Sequence, residues 1–136
     1  MSTEQNIQTV QNAYAAFSRG DISVTLEILS DDILWITPGN SAMAGERRGK
    51  QDVMGFFRTL GEQWEFLSFE PREYIASGDR LVVLGRYDVR SRQTGRTAAS
   101  HWAMVFTFRK GKVVHFQEYT DTSTLEAALN TAAAAG

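Results

Sequence analysis

From Arg80 to Thr120 the chain alternates large apolar residues with small or polar ones at a period of two, interrupted by two short turns, Gln93-Thr94-Gly95 and Lys110-Gly111. That period sends every second side chain to the same face of a strand. Turns so short can join only antiparallel neighbours. Residues 80–90, about 96–108 and 113–120 therefore predict a strand meander. One face of its first strand carries Leu81, Val83, Gly85, Tyr87 and Val89, and one face of its second carries Ser100, Trp102, Met104, Phe106 and Phe108.

The first half of the chain reads differently. Ser2 and Thr3 followed by Glu4 and Gln5 open a helix whose apolar stripe is Ile7, Val10, Tyr14 and Phe17, and Ser18-Arg19-Gly20 stops it. Asp21 is placed to cap a short second helix bearing Val24, Ile28 and Leu29, ended by Ser30-Asp31-Asp32. Residues 33–37 form a strand halted by Pro38-Gly39, and a polar loop suited to a pocket rim then runs to Gly49. A third helix from Lys50 buries Val53, Phe56, Phe57, Leu60 and Trp64. Strand character follows in Leu67 and Phe69, is interrupted at Pro71, resumes at Tyr74-Ile75 and turns at Gly78-Asp79. A last Ala-rich helix starts near Ser123, and the low-complexity tail 131–136 is expected to fray. Helices first and strands afterwards predict a single α+β domain over residues 1–136, with the helices on one face of one antiparallel sheet.

Composition narrows the function. With 136 residues and 43% hydrophobic content the chain can bury one core without disulfides or metal. A net charge of −2, with no basic run longer than a pair such as Arg47-Arg48, gives no field for nucleic acid. There is no cysteine, and two histidines, His101 and His115, fall short of a three-ligand metal site. No stretch approaches a membrane span, and the start MSTEQNIQ lacks the basic and apolar regions of a leader, so the expected location is cytoplasmic.

Several strings carry a resemblance: Ala16-Phe-Ser-Arg-Gly-Asp21, Leu29-Ser-Asp-Asp-Ile-Leu-Trp35, Gly49-Lys-Gln-Asp-Val-Met-Gly-Phe-Phe57, Phe106-Thr-Phe-Arg-Lys-Gly-Lys-Val-Val114 and Glu118-Tyr-Thr-Asp-Thr122. In this order the chain resembles the SnoaL-like, ketosteroid-isomerase-related branch of the nuclear transport factor 2-like superfamily. The resemblance implies a curved antiparallel sheet wrapped around N-terminal helices, a cone with an internal pocket for a small apolar molecule, and a homodimer through the outer sheet face. A strand face mixing Ala99, His101, Ala103, Val105 and Thr107 agrees with a second covering surface.

The residues that carry steroid isomerase chemistry in that branch are replaced. The resemblance puts Thr37 where the base would stand, Met104 in place of the protonated Asp, and Ala13 in place of the Tyr, with Tyr14 one residue round the helix. What remains near the implied mouth is Glu118 and Asp121, the two candidate acid/base residues. Asp121 has a second reading as the cap of the last helix. Alternation puts Glu118 on one face with Phe116 and Val114, inside the implied cone, where burial would raise its pKa; the alternative is pairing with an arginine. Tyr14, Trp35, Phe57, Gly85, Tyr87, Trp102, Met104, Phe116 and Thr120 are the expected pocket residues, Gly85 because its missing side chain leaves room for a ligand or marks a bulge. The expectation is a cofactor-free enzyme of the lyase, isomerase or hydrolase kind, or else a non-catalytic dimeric binding module.

Overall fold

A computed structural model describes residues 2–40 and 43–130, so the tail 131–136 lies outside the described residues. In chain order the elements are α1 (Thr3–Ser18), α2 (Ser23–Ile28), β1 (Leu29–Thr37), β2 (Gly45–Arg48), α3 (Gly49–Gln63), β3 (Trp64–Ser77), β4 (Arg80–Ser91), β5 (Thr97–Arg109), β6 (Lys112–Thr120) and α4 (Thr122–Leu129). The fold is α+β, and the six strands form one sheet in the order β2-β1-β6-β5-β4-β3.

The meander forms as its alternation demands. Leu81, Val83, Tyr87 and Val89 of β4 are buried together with Trp102, Phe106 and Phe108 of β5, and the register sets Leu81 opposite Phe106 and Gly85 opposite Trp102. The β5–β6 turn puts Lys110 (φ 53) and Gly111 (φ 78) in the left-handed region, the conformation that a two-residue hairpin turn imposes on both central residues. At the N-terminus, Gln5 N donates to Ser2 Oγ while Ser2 N donates to the Gln5 side chain, closing a reciprocal cap on α1.

Several expectations need correction. The sheet is mixed, because β1 pairs with β6 in parallel while all other neighbours are antiparallel. Ser30-Asp31-Asp32 do not end the second helix but lie within β1. Asp21 stands one residue ahead of the α2 cap, although its carboxylate still accepts from Ser23 N at 3.0 Å. Part of the polar loop is the strand β2, four residues too polar to show a pattern, which forms because β1 offers it backbone partners.

Trp64 leaves the helix and begins β3, with its backbone already extended (φ −126, ψ 138). β3 then runs through Pro71 without breaking. It lies at the edge of the sheet, where a missing backbone N–H costs no ladder bond. Register shifts between Phe66 and Ser68 and between Pro71 and Glu73 mark two bulges. The first turns Leu67 outward, 46% exposed, and returns Phe66 and Phe69 to the inner face. A third shift on β6 makes Val113, not Val114, the buried partner of Phe108.

The second β3 bulge lies opposite Gly85. The indole of Trp102 lies directly over this glycine: a Cβ there would stand 2.3 Å from Trp102 Cζ2 and 2.5 Å from the Glu70 carbonyl oxygen. Phe69 stacks on the same indole, with ring centroids 5.2 Å apart and planes 10° from parallel. The space that the sequence reading left for a ligand is filled by tryptophan. Gly85→Ala is accordingly expected to destabilise the protein by about 2–3 kcal/mol through overpacking. Urea denaturation checks this, and an unchanged midpoint would contradict the packing described.

Candidate functional site

Trp35 of β1 and Phe66 of β3 line one common cavity although their strands are four places apart in the sheet. At about 4.8 Å per strand a flat sheet would hold them roughly 19 Å apart, so the sheet curves around the cavity. Its other walls are α1 (Val10, Ala13, Tyr14, Phe17), α3 (Phe56, Phe57, Leu60) and α4 (Leu125, Leu129). The chamber opens to solvent on one side and holds about 140 Å³. Its lining is mostly aromatic and aliphatic, with a few polar groups.

The aromatic walls interlock. Trp35 stacks on Phe116 (3.8 Å, 21°) and meets Phe56 and Phe57 at 5.6 and 5.5 Å. Tyr14 packs edge-on to Phe69 at 5.3 Å and tilts against Trp102 at 5.9 Å. Such contacts fix the ring positions beyond what area burial alone would do.

Glu118 enters this chamber from β6, opposite Met104 and two residues beyond Phe116 on the same face. None of the ion pairs among the described residues includes it. The residue keeps some accessible surface only because it faces the chamber; protein surrounds its carboxyl, and this desolvation pushes the pKa from its ordinary 4.5 up to about 7. A carboxyl poised there exchanges a proton near neutral pH. Burial also raises the Tyr14 hydroxyl well above its ordinary range, with Tyr74 and Glu118 adding to the effect.

Hydrogen bonds around Glu118 have a definite sense. The Ser100 hydroxyl donates to the His101 carbonyl (2.7 Å), so it can only accept from Thr120 (3.0 Å). The Thr120 proton is thereby committed, and at 2.7 Å the Tyr87 hydroxyl must be the donor to Thr120. Tyr87 and Thr120 thus face the chamber as acceptors. Tyr14 differs: its hydroxyl donates to the Met104 thioether sulfur at 3.1 Å, a weak acceptor that a ligand oxygen would outcompete.

Of the expected pocket residues, Tyr14, Trp35, Phe57, Tyr87, Met104, Phe116 and Thr120 line the chamber, together with Glu118. Trp102 and Gly85 form a layer behind it. Asp121 is exposed and outside the lining: it caps α4, accepting from Thr124 N (3.1 Å) and from the hydroxyls of Ser123 (2.8 Å) and Thr124 (2.6 Å). These hydrogen bonds, the Thr124 hydroxyl first, hold its pKa below the ordinary value. Thr37 lines the chamber wall, but its hydroxyl is committed to the Met43 carbonyl. The sequence reading missed Phe17, Trp64, Phe66 and Glu126 as lining residues. Glu126 accepts from Asn40 N at 2.7 Å across the mouth; its position on the inner side of α4 is set by helix docking, which periodicity in an Ala-rich segment does not reveal. Among the described residues no three His, Cys, Asp or Glu side chains gather as a metal site.

A family model, the SnoaL-like domain, matches residues 10–116. An NTF2-like protein from Burkholderia xenovorans LB400 is 38% identical and superimposes with a TM-score of 0.87 over 96% of this chain and 99% of its own. An NTF2-like protein of unknown function from Burkholderia pseudomallei K96243 is 32% identical, with a TM-score of 0.88 over 96% and 100%. TerC, co-crystallised with polyporic acid, is 27% identical, with a TM-score of 0.80 over 92% and 98%.

The raised Glu118 pKa has a consequence for stability. Between about pH 4.5 and 7 the folded chain holds a proton that the unfolded chain has released, so stability is fullest below pH 4.5 and falls as pH rises to about 7. The loss corresponds to about 3 kcal/mol. Glu118→Gln should remove this dependence and raise the melting temperature at pH 8 by about 5–10 °C. Calorimetry of both proteins from pH 4 to 8 checks it; parallel profiles would contradict a desolvated Glu118.

Proposed function

The chain belongs to the SnoaL-like domain family, and from that premise we propose that its chamber binds a small apolar carbonyl compound on which Glu118 acts as general acid and base without a cofactor. The observation that carries this reading is a carboxyl that, among the described residues, has no ion-pair partner, set among aromatic walls beside a tyrosine hydroxyl held there only by sulfur. As carboxylate, Glu118 takes a proton from the carbon next to the carbonyl. Tyr14 donates to the oxygen on which charge develops, and the protonated Glu118 returns a proton to carbon. That TerC was co-crystallised with polyporic acid supports a small-molecule ligand for this fold. The replacements at Thr37 and Ala13 speak against the steroid isomerase constellation itself.

Deuterium exchange into the methyl group of acetophenone in D₂O, followed by proton NMR, tests this. Wild-type protein should accelerate exchange with a rate rising through pH 7, and Glu118→Gln should lower the rate at least about 100-fold. An equal rate in the variant would remove Glu118 from the mechanism. Ligand binding without exchange in the wild type would favour the binding module instead.

We further propose that a second copy covers the outer sheet face. A row of residues in register there, Ile75, Val82 and Val105, with the neighbouring Tyr119, is apolar, and Ile75 and Tyr119 are 47% and 52% exposed. Sedimentation equilibrium should give twice the mass of the chain, and Val105→Glu should halve it. A monomer in the wild type would end this proposal.

A further inference from the structure

The size of the chamber and the placing of its polar atoms limit what it can hold. A cavity of about 150 Å³ with aliphatic and phenyl walls takes up one benzene molecule, and the chamber here measures about 140 Å³. Its walls are not free to retreat. Trp35, Phe56, Phe57 and Phe116 are locked in mutual ring contacts on one side, and Tyr14, Phe69 and Trp102 on the other. Interiors packed in this way resist expansion by even one methylene.

Two polar groups meet where β5 and β6 pair, Tyr14 and Glu118, while Glu126 lies across the mouth and the Thr37 hydroxyl is committed to a carbonyl. Phe116 and Glu118 lie two residues apart on the inner face of β6, a step of roughly 7 Å along a strand. Met104, opposite Glu118, holds the Tyr14 hydroxyl at 3.1 Å. A flat ring beside the Trp35–Phe116 stack would therefore bring an attached oxygen close to both Tyr14 and Glu118, whereas a second fused ring would have to displace one of those groups. The site offers the Tyr14 hydroxyl as a donor held only by sulfur among the described residues, joined below about pH 7 by the protonated Glu118 carboxyl. Beside Tyr14 the unmet need is for an acceptor.

Resting on the ligand-site reading above, we propose that the substrate is a single-ring aryl carbonyl compound, its ring against Trp35 and Phe116 and its oxygen between Tyr14 and Glu118. The same walls leave room for one ring beside the Trp35–Phe116 stack, and any further ring would have to project through the mouth.

Four probes separate this from the broader reading: acetophenone, ethylbenzene, 2-acetylnaphthalene and progesterone, each titrated into wild-type protein by calorimetry and by quenching of the chamber tryptophans. Acetophenone should bind at least tenfold more tightly than ethylbenzene, which has the ring without the oxygen, and at least tenfold more tightly than either larger ketone. Tyr14→Phe should bring acetophenone down to the ethylbenzene level. Equal affinity for acetophenone and ethylbenzene would overturn the oxygen contact on wild-type protein alone. A larger ketone binding as tightly as acetophenone, and weakened by Tyr14→Phe, would overturn the one-ring limit while leaving the ligand site standing. No binding of any probe would end both.

Discussion

The register between β5 and β6 decides everything that the chamber can do. Phe106 faces Phe116, Met104 faces Glu118, and Trp102 faces Thr120. A slip of one residue would turn Glu118 and Phe116 to the outer face and bring His115 and Gln117 inward. The two-residue turn at Lys110-Gly111 starts this register and the bulge beside Val113 adjusts it. The parallel pairing of β1 with β6 then places Trp35 beside Phe116. Burial of the aromatic wall and placement of the carboxyl thus follow from one pairing.

That arrangement sets stability against chemistry. An ionised carboxyl in an apolar wall opposes folding near neutral pH, and the indole N–H groups of Trp35 and Trp102 are buried without a hydrogen-bond partner. The surrounding apolar packing offsets these costs: the buried core runs from Val10 on α1 to Ala128 on α4 without a break. A site of this kind persists because the scaffold over-determines the position of each group, as when Gly85 leaves the Trp102 indole a single place to lie.

Much of this was legible in the sequence. The alternation in β4 and β5 gave the inner face residue by residue, and the position of Glu118 followed from counting along β6. What stayed hidden involves events that break a period. The bulge at Leu67 separates Phe66 and Phe69 by three residues, so both read as out of phase although both line the chamber. Strict alternation likewise points to Val114 where the bulge on β6 makes Val113 the buried residue. Trp64 fitted a helical stripe because its spacing from Leu60 is helical, while its backbone is extended. The role of Asp121 had two readings that no pattern separates; its three hydrogen bonds at the start of α4 identify a cap.

One consequence of the β3 irregularities concerns how the molecule meets its neighbours. An open sheet ends in strands whose free N–H and C=O groups invite pairing with another chain. β3 is one such border, fourteen residues long. Pro71 removes a donor from its middle, bulges on either side spoil the straight repeat, and Glu70, Arg72 and Glu73 set charges around the gap. An incoming strand would find no continuous ladder to join. The features that bring Phe66 and Phe69 to the chamber therefore also guard the border against runaway strand addition.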